Sequence, residues 1–279
     1  MQSIKVQCPA KINLTLKVVN KRPDGYHNID SIMQTIDLYD YLSISVEKSE
    51  NFEIILSGNN PEIPYDSRNL VYKAAELFFS NTKLPTQKVC IDIEKNIPIA
   101  AGLAGGSTDA AGTLYGLNKI YNEVYSTSEL HELCAKLGSD LNVCLAGGCL
   151  KTSGRGEIIV PVGYKSYDVR LIKPIGLGIS AKEAYTKFSS KMEKNVDVKS
   201  RDFYANDLEW AIIDDYEKLK YIKQKYKSSM MTGSGSTYFS LEEDFYPEEG
   251  YWVNNNLKTI DKGVSVCEQK VDMPSVLSV

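Results

Sequence analysis

The residues of this chain that could do chemistry gather around a glycine loop, two polar strand positions, a lone acid and an aromatic turn. The stretch NIPIAAGLAGGSTDAAG, residues 96–112, joins the end of a predicted strand to the start of a predicted helix through Gly102, Gly105 and Gly106. Glycines at a helix N-terminus leave bare N–H groups and the positive end of the helix dipole facing their neighbour, which suits a phosphate. A plain glycine turn ahead of a core helix fits the same letters. Neither common nucleotide signature is present: Ser107 follows Gly106 where a P-loop carries Gly-Lys-Ser/Thr, and the loop has no G-x-G-x-x-G. A phosphate held here therefore needs its positive side chain from elsewhere in the chain.

Lys11 and Asn13 stand two apart on the polar side of an alternating strand, either as solvated polar residues or as part of a site. Asp140 falls between a helix stop at Gly138 and an apolar run of Leu141, Val143 and Leu145, read here as a strand. An acid heading a buried strand is costly unless it is paired or functional. Tyr26 and His27 follow the reversal Pro23-Asp24-Gly25. A stackable ring beside a donor/acceptor imidazole suits a planar heterocycle, and two aromatics packing beside a hairpin turn is the other reading.

The elements that must position these groups read as follows. Residues 3–19 alternate as a long strand, with Ile12, Leu14, Leu16 and Val18 on one face. Strands are predicted near 42–46, 52–56 and 89–93, and a helix opens at Asp66-Ser67-Arg68-Asn69 and runs to Phe79. After the glycine loop, Ala110, Ala111, Leu114 and Leu117 recur at helical spacing. Ser126 and Glu129 form a capping box for the next helix, with His131 on its polar side and without a role. In the second half a strand at 169–174 leads through a glycine loop to a helix with Tyr185. Helices near 206–209 and 215–226, a second glycine turn at 230–241, a polar helix near 248–257 and a strand near 264–267 follow. This pattern predicts an α+β protein of two domains, residues 1–162 and 163–279.

Composition narrows the function. With 43% hydrophobic and 24% charged residues the chain is an ordinary globular protein, and its net charge of −4 excludes a general nucleic-acid surface. The opening MQSIKVQCPAKI holds no signal-peptide core and no long apolar run, which predicts a cytoplasmic protein. Cys8, Cys90, Cys134, Cys144, Cys149 and Cys267 form no C-x-x-C pair, and the chain has only two histidines, so a disulfide framework or a histidine-rich metal centre is not expected.

PAKINLTL at 9–16, PIAAGLAGGSTDAA at 98–111 and TGSGST at 232–237 resemble, in this order, the three motifs of the GHMP kinases. RPDGYH, QTIDLYD at 34–40, GSD at 138–140, GRGE at 154–157 and NDLE at 206–209 are similar to those members that phosphorylate 4-diphosphocytidyl-2-C-methyl-D-erythritol. The resemblance implies ATP-dependent phosphorylation of that alcohol's 2-hydroxyl, in the non-mevalonate route to isoprenoids. The fold it implies is an N-terminal domain like ribosomal protein S5 domain 2 and a ferredoxin-like C-terminal domain, with the site between them. It makes Lys11 and Asp140 the catalytic pair, and Pro98-Ile99-Ala100-Ala101-Gly102-Leu103-Ala104-Gly105-Gly106-Ser107-Thr108 the ATP phosphate loop. Asn69 and Lys95 come near the adenine, Asn13, Tyr26 and His27 belong to the substrate, and Tyr185 is a second ring over the cytosine. Magnesium is implied with ATP, with Ser107 or Thr108 touching it. The chain departs from the pattern where Asn142 and Ser236 stand in place of prolines, which predicts two looser loops. A kinase of a mevalonate-like alcohol and a silent nucleotide-binding sensor are the rival readings.

Overall fold

The computed structural model describes residues 2–80, 82, 84, 85 and 87–267. Strand β1 (Gln2–Lys21) turns through Pro23–Gly25 into β2 (His27–Lys48), and the two pair antiparallel along almost their whole length. β2 is one long strand, not a short one near Leu42, and it lays down the floor of the first half. After β3 (Glu53–Gly58) come α1 (Leu70–Ser80) and β4 (Gln87–Glu94). β4 pairs antiparallel with β2 and parallel with β3.

Helix α2 (Gly105–Ile120) follows the glycine loop and lies directly on this sheet. Two glycines permit the approach: a Cβ on Gly112 would stand 2.3 Å from the Cys8 sulfur, and one on Gly116 would stand 2.6 Å from Ile44. α3 (Thr127–Leu137) begins with the Ser126/Glu129 capping box as predicted and stops at Gly138. α4 (Leu141–Ala146) is where a strand was expected. The alternation of Leu141, Val143 and Leu145 misleads, because Asn142 and Cys144 between them are buried too, and a segment buried on all sides carries no period. β5 (Cys149–Ser153) pairs with β2, and β6 (Ile158–Pro161) with β5.

The second half builds a four-stranded sheet. β7 (Asp168–Pro174) precedes α5 (Ala181–Glu193), α6 (Asp207–Ile212) and α7 (Glu217–Lys225). β8 (Met230–Met231), β9 (Tyr238–Ser240) and β10 (Tyr251–Lys258) complete it in the order β10-β7-β9-β8. β10 replaces the predicted polar helix. Its asparagines looked solvated, yet Asn255 bonds both the N–H and the C=O of Phe245 at a bulge in the β10–β7 pairing. Finally β11 (Ser265–Val266) returns to the first sheet and pairs with β1 at Val6 and Gln7. The mixed helices and strands are the α+β class that the pattern predicts.

β1 runs through three packed cores in turn. Val6 and Cys8 pack under α2, Ala10 and Ile12 pack against Leu171 and Phe239 of the second sheet, and Leu16 and Val18 join Trp210, Ile212 and Phe188. Lys11 and Asn13 therefore lie where the two halves meet, and each is only 2% exposed. Among the described residues no helix is long and apolar enough to cross a membrane. All six cysteines carry free thiols, and burial pushes Cys134 up to about 12, which leaves it unreactive.

Candidate active site

A cavity of about 1130 Å³ opens between the two halves, lined by the glycine loop, β1, the Tyr26 turn, the start of α4 and the N-terminal end of α5. Its centre is the carbonyl of Gly102. Lys11 Nζ donates to it at 3.0 Å and the Thr232 hydroxyl at 3.2 Å. Thr232 also accepts from the Asn13 N–H at 2.9 Å. The three widely separated sequence motifs thus meet at one oxygen. Gly102 is indispensable to the meeting, since at φ +74° it brings its Cα so close that a Cβ would stand 2.1 Å from the Thr232 carbonyl.

Lys11 completes its set with Asn13 Oδ1 at 2.7 Å and Asp140 Oδ2 at 3.5 Å. A buried ammonium needs such partners. Asp140 heads α4, but its side chain makes no capping hydrogen bond, and 30% of it is exposed toward the cavity. The carboxylate is therefore available for chemistry rather than committed to the helix.

At the start of α2 the N–H groups of Gly105, Gly106 and Ser107 precede the first helical bond, from Thr108 N–H to Ala104 C=O at 2.9 Å. A Cβ on Gly106 would meet only Leu70, at 3.9 Å, so the space above it is open. Pro98 through Ser107 all line the cavity. Thr108 does not: it is fully buried, and of the two hydroxyl residues it is Ser107 that lines the cavity.

Lys95 and Asn69 also line the cavity, but both side chains are engaged with the protein. Lys95 Nζ bonds Asp40 and, at 2.8 Å, Asp109. Asp40 in turn accepts from the N–H groups of Asn96 and Ile97 at 2.6 and 2.8 Å and so anchors the entry of the glycine loop. Burial raises the Asp109 carboxyl above its ordinary range, against the pull of Lys95. Asn69 accepts from Val71 N–H and donates to Pro64 C=O, capping α1. Sequence reasoning missed Asp40 and Asp109; an acid inside an alternating strand and another inside an apolar helix were the available signals.

The far end is aromatic. Tyr26 is half exposed, and the guanidinium of Arg155, in the GRGE turn, lies 5.0 Å from its ring centre. His27 stacks on Tyr185 with centroids 5.0 Å apart and planes 16° apart, so one face of Tyr185 is already covered. Burial, helped by Lys21, holds the imidazole below its ordinary pKa.

Residues 69–148 match the family described as GHMP kinases N terminal domain. The chain is 41% identical over 255 residues to the 4-diphosphocytidyl-2-C-methyl-D-erythritol kinase of Geobacillus sp. (strain WCH70), covering 85% of this chain and 87% of that one. It is 37% identical over 277 residues to the kinase of the same name from Clostridium botulinum (strain Eklund 17B / Type B), covering 92% and 98%. This chain belongs to the 4-diphosphocytidyl-2-C-methyl-D-erythritol kinase family. A crystal structure of 4-(cytidine 5'-diphospho)-2C-methyl-D-erythritol kinase superposes with a TM-score of 0.69 at 26% identity, over 92% of this chain and 99% of that one. A mevalonate kinase, at 14% identity and a TM-score of 0.64 over 94% and 100%, shares the fold.

At the two positions where the motif resemblance implies prolines, Asn142 and Ser236 make side-chain ties. Asn142 donates to the Glu157 carbonyl at 2.8 Å and meets His131 Nδ1 at 3.1 Å, which gives the histidine read as idle a structural partner. Ser236 is fully buried and donates to the Leu177 carbonyl at 2.6 Å. Each of these hydrogen bonds ties its loop to a carbonyl of another segment in the folded chain.

Proposed function

We propose that this cleft transfers the γ-phosphoryl group of ATP to the 2-hydroxyl of 4-diphosphocytidyl-2-C-methyl-D-erythritol, a step in the non-mevalonate supply of isoprenoid precursors. The observation that carries this reading is the Lys11–Asp140 pair, 3.5 Å apart, set between an open glycine cradle and the Tyr26–His27 turn of one cavity. Phosphoryl transfer asks chiefly for positioning and charge neutralisation. The α2 N–H groups supply the first, holding the ATP phosphates. Lys11 supplies the second, pairing with Asp140 and balancing charge on the transferring oxygens. Asp140 takes the proton from the attacking hydroxyl. Tyr26 and His27 bind the cytidyl end, with Asn13 beside the reacting hydroxyl and Tyr185 behind the imidazole.

GHMP kinases use ATP, and we infer that magnesium accompanies it. Among the described residues no group of three or more His, Cys, Asp or Glu side chains is arranged to hold a metal. That fits magnesium, which takes few protein ligands and is held largely by phosphates and water. Ser107, at the cavity wall, would hold it together with the phosphates, and when bound it neutralises phosphate charge. We place residues 1–162 as the ATP-binding domain and 163–279 as its C-terminal companion. The reading puts the enzyme in the cytoplasm, with a small cytidine-diphosphate-bearing molecule and neither nucleic acid nor membrane as its partner.

The cradle has its own test. Gly106→Val fills open space without touching the fold, so the apparent ATP constant rises by about an order of magnitude or more, while the melting temperature holds. Unchanged ATP binding by calorimetry would remove the phosphates from this loop. The reaction itself is tested by ADP release with the cytidyl alcohol, mevalonate and homoserine offered separately. Turnover is expected with the first alone; turnover with mevalonate would reassign the substrate, and none with any would leave a nucleotide-binding sensor.

A further inference from the structure

Three side chains of α5, Tyr185, Phe188 and Ser189, converge on His27 from the opposite half of the molecule. Their spacing of three and four residues puts them on one helical face. Tyr185 stacks on the imidazole, Phe188 meets it edge-on with centroids 6.3 Å apart, and Ser189 Oγ lies 2.9 Å from Nε2. Phe188 is itself fixed between Trp210, at 5.9 Å, and the Arg201 guanidinium, at 5.1 Å. The ring is thus held on both its plane and its edge, and Nε2 is occupied. Nδ1 has no partner among the described residues, and His27 lines the cavity.

A neutral imidazole carries one proton, so whichever nitrogen accepts, the other donates. Ser189 has a single hydrogen to give and makes no other side-chain hydrogen bond among the described residues. Giving that hydrogen to Nε2 leaves the ring proton on Nδ1. We propose that Ser189 is a positioning residue for nucleobase selection: it donates to His27 Nε2 and thereby fixes the imidazole as an Nδ1–H donor directed at an acceptor of the substrate's pyrimidine. The lowered proton affinity of the ring agrees with a neutral, single-donor state.

The chemistry then selects between bases. At N3 cytosine offers an acceptor, whereas uracil offers an N–H, which would leave two donors facing each other in a partly desolvated site. This inference rests on the cytidyl reading given above and adds to it the residue and the proton that read the base.

The test combines a spectrum with kinetics. The chain has only two histidines, so nitrogen-15 NMR of the free enzyme, assigned with a His131→Gln variant, reports the His27 tautomer directly. The Nδ1–H form is expected in the wild type, a mixture of forms in Ser189→Ala, and the Nδ1–H form again in Ser189→Thr, which keeps the hydroxyl. In parallel, Ser189→Ala should raise KM for the cytidyl substrate about five- to tenfold. Its preference over the uridyl analogue should fall by a similar factor, with KM for ATP and kcat unchanged and Ser189→Thr restoring the preference. An Nε2–H tautomer in the wild type, or a Ser189→Ala variant that discriminates as well as the wild type, overturns the proposal. The spectrum needs no substrate, so a wild type inert toward the cytidyl alcohol would count against the function proposed above and not against the tautomer.

Discussion

Asp140→Asn lowers turnover by about 10² to 10⁴, the usual span for losing a general base, and leaves the fold and both ligand affinities in place. The substitution is nearly isosteric, and the carboxylate makes no capping hydrogen bond to α4 whose loss would unsettle the helix. What disappears is the acceptor for the substrate's proton and one half of the pair with Lys11, 3.5 Å away. Steady-state kinetics with calorimetric binding of each substrate reads the outcome. A variant that keeps more than about a tenth of wild-type turnover makes Asp140 a structural acid and the mechanism wrong.

Lys11→Met also cuts turnover by about two orders of magnitude, but with a different stability signature. Its ammonium donates to Asn13 Oδ1 and the Gly102 carbonyl at 2.7 and 3.0 Å, and the lysine itself is almost closed to water. Methionine removes that donor and leaves Asn13 Oδ1 and the Gly102 carbonyl to share the single hydrogen of the Thr232 hydroxyl, at about 1–3 kcal/mol for a buried group, so this variant melts earlier. The double variant loses far less turnover than the two single losses combined, because the residues act as one unit. Fully additive losses would mean that the ammonium and the carboxylate serve separate steps.

Local signals in the sequence survived folding because their physics is local. The capping box at Ser126 and Glu129, the Gly138 stop and the glycine-led start of α2 depend on residues within one turn of each other. The alternation of β1 likewise follows from a strand with one face on a core. What could not be read were relations across the chain. Lys95 looks like a free cation beside a phosphate loop until Asp40, 55 positions away, claims it. Ser189 is an unremarkable helix serine until His27, 162 positions earlier, arrives beside it. α4 was misread for a different reason: its first four residues, Leu141 to Cys144, are all buried, and an unbroken buried run shows no periodicity to interpret. The family resemblance supplied Lys11 and Asp140 as a pair, and geometry alone explains why the glycine loop lacks its own lysine: Lys11 reaches it from β1 through the Gly102 carbonyl.

The return of β11 to β1 bears on how the molecule is made. The segment leading into it ties itself to β2, where Ile260 N–H donates to Thr35 C=O, and to α4, where Val264 N–H donates to Cys144 C=O at 3.0 Å. Gly263 packs so tightly on the Leu145 carbonyl that a Cβ would stand 2.3 Å from it. The helix that carries Asp140 is thus braced by residues that leave the ribosome after both sheets' other strands. During synthesis, the first half can collapse around β1 and α2 well before this brace exists, but α4 acquires its last support only when residue 264 has emerged. A nascent chain stopped at residue 162 would hold the glycine cradle and the lysine, yet lack the wedge that sets the acid.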